Sequence, residues 1–226
     1  MKAWFLTGTD TGIGKTTAAC ALLKAAERRG LSTLGLKPLA SGCESTPDGL
    51  RNSDALLLGE AATLKLPYSE INPVALPYPL SPHLAAAAVG KRIGNWQLGG
   101  YVRAALSHRP DFAVVEGAGG WRVPLSDREM LSGLAKELRL PVILVVGLRL
   151  GCLNHAFLTV ESILRDGVKL AGWIGNRIDP AMAAVDDNVA TLSHWLPAPC
   201  LGILPHAPGQ SPAALAEHLD LTPLLG

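Results

Sequence analysis

The stretch from Gly8 to Thr16 carries the residue types that bind a phosphate chain. It reads Gly8-Thr-Asp-Thr-Gly-Ile-Gly-Lys15-Thr16 and lies between the apolar run Ala3–Leu6 and a helical pattern over Thr17–Arg29. Glycines let backbone N–H groups turn toward an anion, the lysine offers a charge to the outer phosphates, and the threonine hydroxyl suits Mg²⁺. Glycine-rich turns before helices also arise for geometric reasons alone. Because strand, glycines, Lys-Thr pair and helix occur together, the sequence predicts a nucleoside-triphosphate site.

Two other predicted strands end on charged residues. Lys37 ends the run Thr33–Lys37, where it either neutralises an anion or is a solvated strand-end lysine. Glu116 ends the apolar run Phe112–Glu116, and a carboxylate there is costly to bury without a partner. With Thr16 it offers the hard oxygens that Mg²⁺ prefers. The glycines that follow would let the backbone approach a phosphate, although a turn that simply needs small residues is the alternative.

Two more polar positions have weaker signals. Asp54 begins a helix-like apolar stretch, and by itself it is best explained as a first-turn acid favoured by the helix dipole. The segment Asn176-Arg-Ile-Asp179 is similar to the Asn-Lys-x-Asp element that reads guanine, with Arg177 in place of lysine. The match is weak, but the Asn176 amide offers the paired donor and acceptor that a purine edge requires.

Short β-rich apolar runs alternate with helical patterns, which predicts an α/β fold with a mostly parallel sheet covered by helices, within one domain over residues 1–226. The six predicted strands are Ala3–Thr7, Thr33–Lys37, Phe112–Glu116, Val142–Gly147, Leu170–Asn176 and Cys200–Leu204. Leu66–Pro82, with its five prolines, should be irregular, and Leu84–Val89 should be helical. Ligands of such sheets gather at the carboxyl ends of the strands, so the charged strand ends can converge.

Composition excludes several classes of function. The 20 basic and 19 acidic residues give a formal net charge of +1, which argues against a nucleic-acid partner. No apolar run approaches the roughly 20 residues of a membrane helix, and no secretory signal is visible. The four cysteines are scattered without metal-ligand spacing, which is typical of reduced thiols in a cytoplasmic protein. The histidines suggest no hydrolase triad.

Several further motifs accompany the phosphate loop, namely Lys37-Pro-Leu-Ala-Ser-Gly42, Arg51-Asn-Ser-Asp54, Ser81-Pro-His83, Val115-Glu-Gly-Ala-Gly-Gly-Trp121, Pro124-Leu-Ser126 and Gly151-Cys-Leu-Asn-His155. Together, and in this order, they resemble the dethiobiotin synthetase family of P-loop enzymes over almost the whole chain, to about Pro205. The departures are Gly12, where many members of that family carry an acidic residue, and the tail after Pro205.

The resemblance implies a P-loop NTPase-type three-layer α/β/α fold and a reaction in which 7,8-diaminononanoate, CO₂ and ATP give dethiobiotin, ADP and phosphate. It implies that Lys15 and Lys37 lie near the carbamate and the transferred phosphoryl group, and that Thr11 and Ser41 orient the substrate. It also makes Asp54 a Mg²⁺ ligand, with Thr16 and Glu116, instead of a simple helix cap. The implied nucleotide contacts are Gly12, Ile13, Gly14, Lys15, Thr16, Thr17, Asp54, Glu116, Gly117, Ala118, Gly119, Asn176, Arg177, Pro205, His206 and Ala207.

The family resemblance further implies a homodimer with active sites close to the subunit boundary. Asn154 is the predicted N-cap of a helix that ends at Gly167. We expect the exposed N–H groups of this helix start to receive the distal carboxylate of the substrate across the interface. The substrate-binding residues implied there are Gly151, Cys152, Leu153 and Asn154.

Two other functions fit a phosphate loop. Cobyrinate-amidating relatives usually carry an added glutamine-hydrolysing domain, for which this chain is too short. A nucleotide switch or partition-type ATPase draws its best support from Asn176 and Asp179. Partition ATPases place an additional lysine early in the loop, whereas Thr9-Asp-Thr11 stands here, and five residues instead of the common four separate Gly8 from Gly14. The loop therefore favours the synthetase.

Overall fold

The computed structural model describes residues 1–226 and contains ten β-strands. They are β1 (Lys2–Gly8), β2 (Thr33–Leu36), β3 (Leu39–Ala40), β4 (Glu44–Thr46), β5 (Gly49–Arg51), β6 (Val74–Ala75), β7 (Phe112–Glu116), β8 (Val142–Leu148), β9 (Leu170–Arg177) and β10 (Cys200–Leu204). Six of them form one parallel sheet in the order β10-β9-β8-β1-β7-β2, while β3-β6 and β4-β5 form two small separate pairs.

Helices fill the connections between these strands. They are α1 (Lys15–Glu27), α2 (Ser53–Ala61), α3 (Tyr68–Ile71), α4 (Pro82–Ala88), α5 (Asn95–Leu106), α6 (Ser132–Leu138), α7 (Cys152–Arg165), α8 (Val185–Trp195), α9 (Pro212–Leu215) and α10 (Thr222–Leu225), with a 3₁₀ turn at Ala216–His218. No helix is both long enough and apolar enough to cross a bilayer.

The core consists of two apolar layers, one on each face of the sheet. Successive residues of β1 point to opposite faces, so that Phe5 packs in the layer beneath α5, α6, α7 and α8, while Leu6 packs in the layer beneath α1 and α2. Strands covered on both faces need apolar residues at every position, and all seven residues of β8 are buried. The result is the helix-covered parallel sheet that the sequence pattern predicted, in the three-layer α/β/α arrangement that the family resemblance implied.

The connectivity places a crevice above the middle of the sheet. From β1 the chain crosses through α1 to β2, which lies beyond β7 on one side of β1. On the other side of β1 lies β8, from which the chain continues through α7 to β9. The loops that leave β1 and β8 therefore diverge, which is the position where open α/β sheets bind ligands. The phosphate loop lies there, directly after β1.

All six predicted strands are present within two residues of their predicted bounds. The region Leu66–Pro82 contains only the short α3 and β6, and the predicted helix Leu84–Val89 is found as α4. The predicted helix start at Asn154 is wrong, because α7 begins at Cys152 with Gly151 as its N-cap. Gly151 adopts φ 92°, a left-handed conformation that suits glycine, and Cys152 is already buried in the core. Tertiary packing thus overrides the capping preference of asparagine.

The end of α7 is tied to the loop that follows β7. Trp121 Nε1 donates a 2.9 Å hydrogen bond to Asp166 Oδ2, and Arg122 Nη2 donates one of 2.9 Å to Asp166 Oδ1. Trp121 is buried and packs edge to face on Phe5. Burial tends to raise the pKa of Asp166, but the hydrogen bonds from Arg122 and Trp121 outweigh it and hold this pKa below its ordinary value. Asp166 therefore stays charged at neutral pH, and its carboxylate holds the loop after β7 against the end of α7.

We expect Asp166→Asn to lower the free energy of unfolding at pH 7 by about 1–2 kcal/mol, because hydrogen bonds to a charged acceptor are lost. A lowered folded pKa contributes stability above the ordinary carboxyl pKa of about 4, and that stability is lost as the pH falls through the folded value. Urea unfolding at several pH values should show the difference shrinking below about pH 4. Glu161→Gln, also on α7, is the control, and a difference independent of pH would contradict this role.

Candidate active site

A cleft of about 720 Å³ opens at the carboxyl edge of the sheet, above β1, β2 and β7. It brings together the phosphate loop, the end of β2, the start of α2 and the loop after β7. The predicted site residues that line it are Thr11, Gly12, Gly14, Lys15, Thr16, Thr17, Lys37, Ser41, Asp54, Glu116, Ala118 and Gly119. Segments 100 positions apart in the chain thus line one cleft, as expected of the carboxyl ends of neighbouring parallel strands.

The phosphate loop presents a row of free backbone donors. Gly12 and Gly14 have φ values of 73° and 81°, in the left-handed region that glycine tolerates. The backbone N–H groups from Gly12 to Thr17 donate to no acceptor within the chain. Gly14 is the N-cap of α1 and lacks a side-chain cap, so the positive end of the helix dipole faces the cleft. Such a concentration of unpaired donors suits a polyanion.

Polar contacts around the loop fix its shape. Asn176 Nδ2, near the end of β9, donates a 2.8 Å hydrogen bond to the Ile13 carbonyl. Lys15 Nζ donates to the Asp10 carbonyl at 2.9 Å, and the Asp10 carboxylate accepts a 2.6 Å hydrogen bond from Arg149. The main chain of the loop is therefore braced from β8 and β9 before any ligand arrives.

A buried cluster of charges forms the floor of the cleft. Lys37 Nζ lies 2.6 Å from Glu116 Oε1 and 3.0 Å from Asp54 Oδ2, and it also donates to the Gly117 carbonyl at 3.2 Å. Thr16 Oγ1 donates to the same Glu116 oxygen at 2.9 Å. Lys37 and Glu116 are 5% and 1% exposed, so neither charge is hydrated. Their mutual attraction has to offset the desolvation of both.

The two lysines of the cleft differ in their proton affinity. Burial tends to lower the pKa of Lys37, but the charges of Glu116 and Asp54 outweigh it and hold this pKa above the ordinary lysine value. Burial, followed by the neighbouring Lys37 charge, lowers the pKa of Lys15 to about 8. Lys37 is therefore an ammonium at neutral pH. For Lys15, the charges of Glu116, Asp54 and Asp10 raise the pKa too little to offset burial, and a bound phosphate would supply a further opposing charge.

Two groups facing the cleft have unused hydrogen-bonding capacity. Glu116 Oε2 and Ser41 Oγ are buried atoms without a hydrogen-bond partner. Burying a carboxylate oxygen or a hydroxyl without a hydrogen-bond partner destabilises the folded protein. Both atoms therefore mark positions at which a ligand would supply the missing partner.

Seven of the predicted nucleotide contacts do not line this cleft, namely Ile13, Gly117, Asn176, Arg177, Pro205, His206 and Ala207. Asn176 is buried and holds the phosphate loop. The Arg177 carbonyl lies 3.1 Å from His206 Nδ1, which joins the ends of β9 and β10 next to that loop. Pro205 and Ala207 flank His206 in the same segment. Ile13 packs beneath the loop in the core. Nucleotide contacts at these positions stay a prediction.

The start of α7 is also separate from the cleft. Gly151 and Asn154 are exposed and Leu153 is partly buried, whereas Cys152 is buried in the core. The Cys152 N–H donates to the Arg149 carbonyl, so it is already satisfied, but the N–H groups of Leu153 and Asn154 have no acceptor in the chain. Two free donors therefore remain at this helix end.

Several residues in or around the cleft have no role assigned to them from the sequence, although most belong to the motifs named above. Asn52 lines the cleft and caps α2 by accepting a 3.2 Å hydrogen bond from the Ala55 N–H, a role that its position before an apolar stretch could have indicated. Ser81 and Pro82 also line the cleft. The pairing of Asp10 with Arg149 has no sequence signal, because 139 positions separate the two residues.

The fold and the site define a P-loop nucleoside-triphosphate-binding protein, and a family model described as an AAA domain matches residues 2–214. Among solved structures, a ParA-family ATPase from Chlorobium tepidum covers 99% of this chain and 92% of its own at a TM-score of 0.57 and 12% identity. The MinC:MinD cell division complex from Aquifex aeolicus gives a TM-score of 0.57 at 19% identity, covering 92% and 82%. These likenesses concern the fold alone.

Sequence relatives are much more similar. The ATP-dependent dethiobiotin synthetase BioD of Pseudomonas paraeruginosa is 56% identical over 99% of this chain and 98% of its own length. The protein of the same name from Cellvibrio japonicus is 54% identical over the same shares. The chain belongs to the ATP-dependent dethiobiotin synthetase family, which confirms the resemblance seen in its motifs.

A matched pair of variants tests the phosphate loop. A Cβ at Gly14 would collide with Asn176 Nδ2, whereas a Cβ at Gly12 would meet open space, although both backbones are left-handed. We expect Gly14→Ala to weaken binding of a non-hydrolysable ATP analogue by about 100-fold and Gly12→Ala by about tenfold or less. Calorimetric titration measures both affinities. Equal losses would show that the Asn176 contact does not shape the site.

Proposed function

We propose that the protein is an ATP-dependent dethiobiotin synthase, a cyclo-ligase of biotin biosynthesis. It would convert 7,8-diaminononanoate, CO₂ and ATP into dethiobiotin, ADP and phosphate. Membership of the family supports this assignment. The observation that carries it is the Lys37 ammonium, which is 5% exposed and fixed at the floor of the cleft that the phosphate loop borders. A positive charge in that position serves chemistry between a carboxylated substrate and a phosphoryl group.

The residues around Glu116 fit a Mg²⁺ ion. Glu116 Oε2 is a buried carboxylate oxygen without a partner, and Thr16 and Asp54 contribute further hard oxygens to the same floor. Mg²⁺ usually takes only a few protein ligands and completes its octahedron with water and phosphate oxygens, which suits this small set. When bound, the ion would neutralise charge on the phosphate oxygens. Thr16, Asp54 and Glu116 are its proposed ligands.

The reaction requires no nucleophile from the protein. One substrate amine attacks CO₂ and loses a proton to give a carbamate, whose oxygen attacks the γ-phosphorus and displaces ADP. The second amine then attacks the carbamoyl carbon of the resulting carbamic–phosphoric anhydride, loses a proton and expels phosphate as the ring closes. The protein contributes by positioning the reactants and stabilising charge.

Each polar group of the cleft has a place in this scheme. The free N–H groups from Gly12 to Thr17 would hold the phosphates, and Lys15 would regain its full charge beside them. Lys37 would stabilise negative charge on the carbamate and on the transferred phosphoryl group. The unpaired Ser41 hydroxyl and Thr11, which both line the cleft, would orient polar groups of the diamine.

The proposed nucleotide site extends beyond the cleft. Its phosphate end would contact Gly117, Ala118 and Gly119 after β7, as well as the phosphate loop. Its base would lie against Asn176, Arg177 and the segment Pro205–Ala207, where the contact between Arg177 and His206 brings two strand ends together. The Asn176 side chain keeps its oxygen free, because only Nδ2 is used to hold Ile13.

We further propose a homodimer that acts in the cytoplasm. The free N–H groups of Leu153 and Asn154 at the start of α7 would receive the distal carboxylate of a diamine bound in the partner's cleft. Gly151 and Cys152 would shape that turn. All four cysteines are free thiols, which accords with a reducing compartment. A monomeric variant with unchanged affinity for diaminononanoate would contradict the carboxylate site.

The decisive assay mixes the purified protein with diaminononanoate, bicarbonate, Mg²⁺ and ATP. We expect phosphate release that depends on the diamine and matches formation of a cyclic urea, because the carbamate is the phosphoryl acceptor. Parallel reactions with GTP and CTP establish the base preference. Nucleotide hydrolysis that is indifferent to the diamine would instead favour a nucleotide switch.

In the same assay Lys37→Gln should lower kcat by about 100-fold or more and change nucleotide affinity much less, since the lost charge acts on the reacting carbamate. Thermal unfolding of the variant is measured alongside, because Glu116 loses its buried partner. Lys24→Gln, at an exposed ion pair of α1, is the control and should leave kcat unchanged. Weak nucleotide binding with normal turnover at saturation would refute the role of Lys37.

A further inference from the structure

The main-chain groups of Lys37 receive no hydrogen bonds from the central sheet. Lys37 follows β2, which ends at Leu36 and is the edge strand of the sheet, with β7 as its only neighbour. Pro38 comes next and has no N–H to donate. Beyond the strand, therefore, the main chain of Lys37 needs partners from outside the sheet. Those partners come from α3, a four-residue helix inside the proline-rich segment.

The contacts of Lys37 with α3 are short and reciprocal. The Lys37 N–H donates a 2.9 Å hydrogen bond to the Ile71 carbonyl. Asn72 Nδ2 donates one of 2.6 Å to the Lys37 carbonyl. Asn72 is 3% exposed, so water does not compete for these bonds. The backbone on both sides of the Lys37 side chain is thus fixed by two consecutive residues.

The same network reaches Asp54. Tyr68 Oη donates to Asn72 Oδ1 at 2.9 Å and accepts a 2.7 Å hydrogen bond from the Asn52 N–H. Asn52 is the N-cap of α2, and Asp54 lies two residues further on. The Arg51 guanidinium stacks 4.3 Å above the Tyr68 ring and limits its movement. One hydroxyl therefore bridges the segment that carries Lys37 and the segment that carries Asp54.

We propose that Tyr68 and Asn72 are positioning residues for the reaction, which set the separation of Lys37 from Asp54 by holding the main chain on either side. The inference rests on the proposed function, because it requires Lys37 to act on the substrate. Neither residue lines the cleft, so both act through other groups. A displacement of about 1 Å in a reacting group can lower turnover by up to about 100-fold without loss of ligand binding.

The test removes the bridging hydroxyl by Tyr68→Phe and compares kcat, KM for diaminononanoate and nucleotide affinity with those of the wild-type protein. We expect kcat per nucleotide-binding site to fall by about tenfold or more, with nucleotide affinity within about twofold, because the phosphate loop is untouched. Counting nucleotide-binding sites excludes unfolded protein from kcat. Tyr101→Phe, on an exposed face of α5, is the matched control and should change none of these values.

A double-mutant cycle with Lys37→Gln distinguishes positioning from a loss of stability. If Tyr68 acts through Lys37, adding Tyr68→Phe to Lys37→Gln should lower kcat little further. Asn72→Asp, which keeps the acceptor for Tyr68 but loses the donor to the Lys37 carbonyl, should reproduce the kcat loss. Normal kcat in both single variants, or multiplicative losses in the cycle, would overturn the inference and leave the proposed function standing. Wild-type protein without diamine-dependent turnover would overturn both.

Discussion

The ion pair between Lys37 and Glu116 is the constraint on which the rest of the site depends. Its atoms lie 2.6 Å apart, and both side chains are almost fully buried. A pair of this kind contributes little net stability, because desolvation consumes most of the attraction. The pair instead fixes the position of the Lys37 ammonium group, which stays buried and charged beside a site for a polyanion. The neighbouring contacts from Asp54 and Thr16 are needed to keep that arrangement in one geometry.

This constraint explains why the cleft draws on so many segments. The carboxylate comes from a central strand that is apolar on both faces, so it can be buried only at the strand end. The lysine comes from the edge strand, where α3 supplies the hydrogen bonds that a further strand would otherwise provide. The phosphate loop follows β1, which lies between β7 and β8, at the point where the connections from neighbouring strands diverge. A parallel sheet with its loops at one edge is the simplest scaffold that brings these groups together.

Sequence reasoning succeeded where the signal was local or periodic. The six core strands are β-rich apolar runs, and the phosphate loop has a fixed spacing of glycines, so both could be predicted. The small strands β3 to β6 have only two or three residues each and carry no periodic pattern. The start of α7 was misplaced because the local preference of Asn154 was outweighed by Gly151 and by the burial of Cys152. Asp54 lies in the first turn of α2, as its place before an apolar stretch indicated, and the structure adds its contact with Lys37.

The supporting contacts could not be predicted from one sequence. Tyr68, Asn72 and Asp166 look like ordinary polar positions, and their partners lie between 4 and 45 positions away along the chain. Only the folded chain shows that they meet. The sequence therefore reveals most of the polar groups that line the cleft, whereas the structure reveals the groups that hold them in place.

A crystal structure with Mg²⁺, a non-hydrolysable ATP analogue and diaminononanoate would test the central arrangement most directly. We expect both ligands in the one cleft, with Lys37 Nζ within hydrogen-bonding distance of the terminal phosphate and of the substrate group that accepts it. A structure in which the Lys37 side chain turns away from both ligands, or in which the ligands occupy separate clefts, would contradict the proposed chemistry.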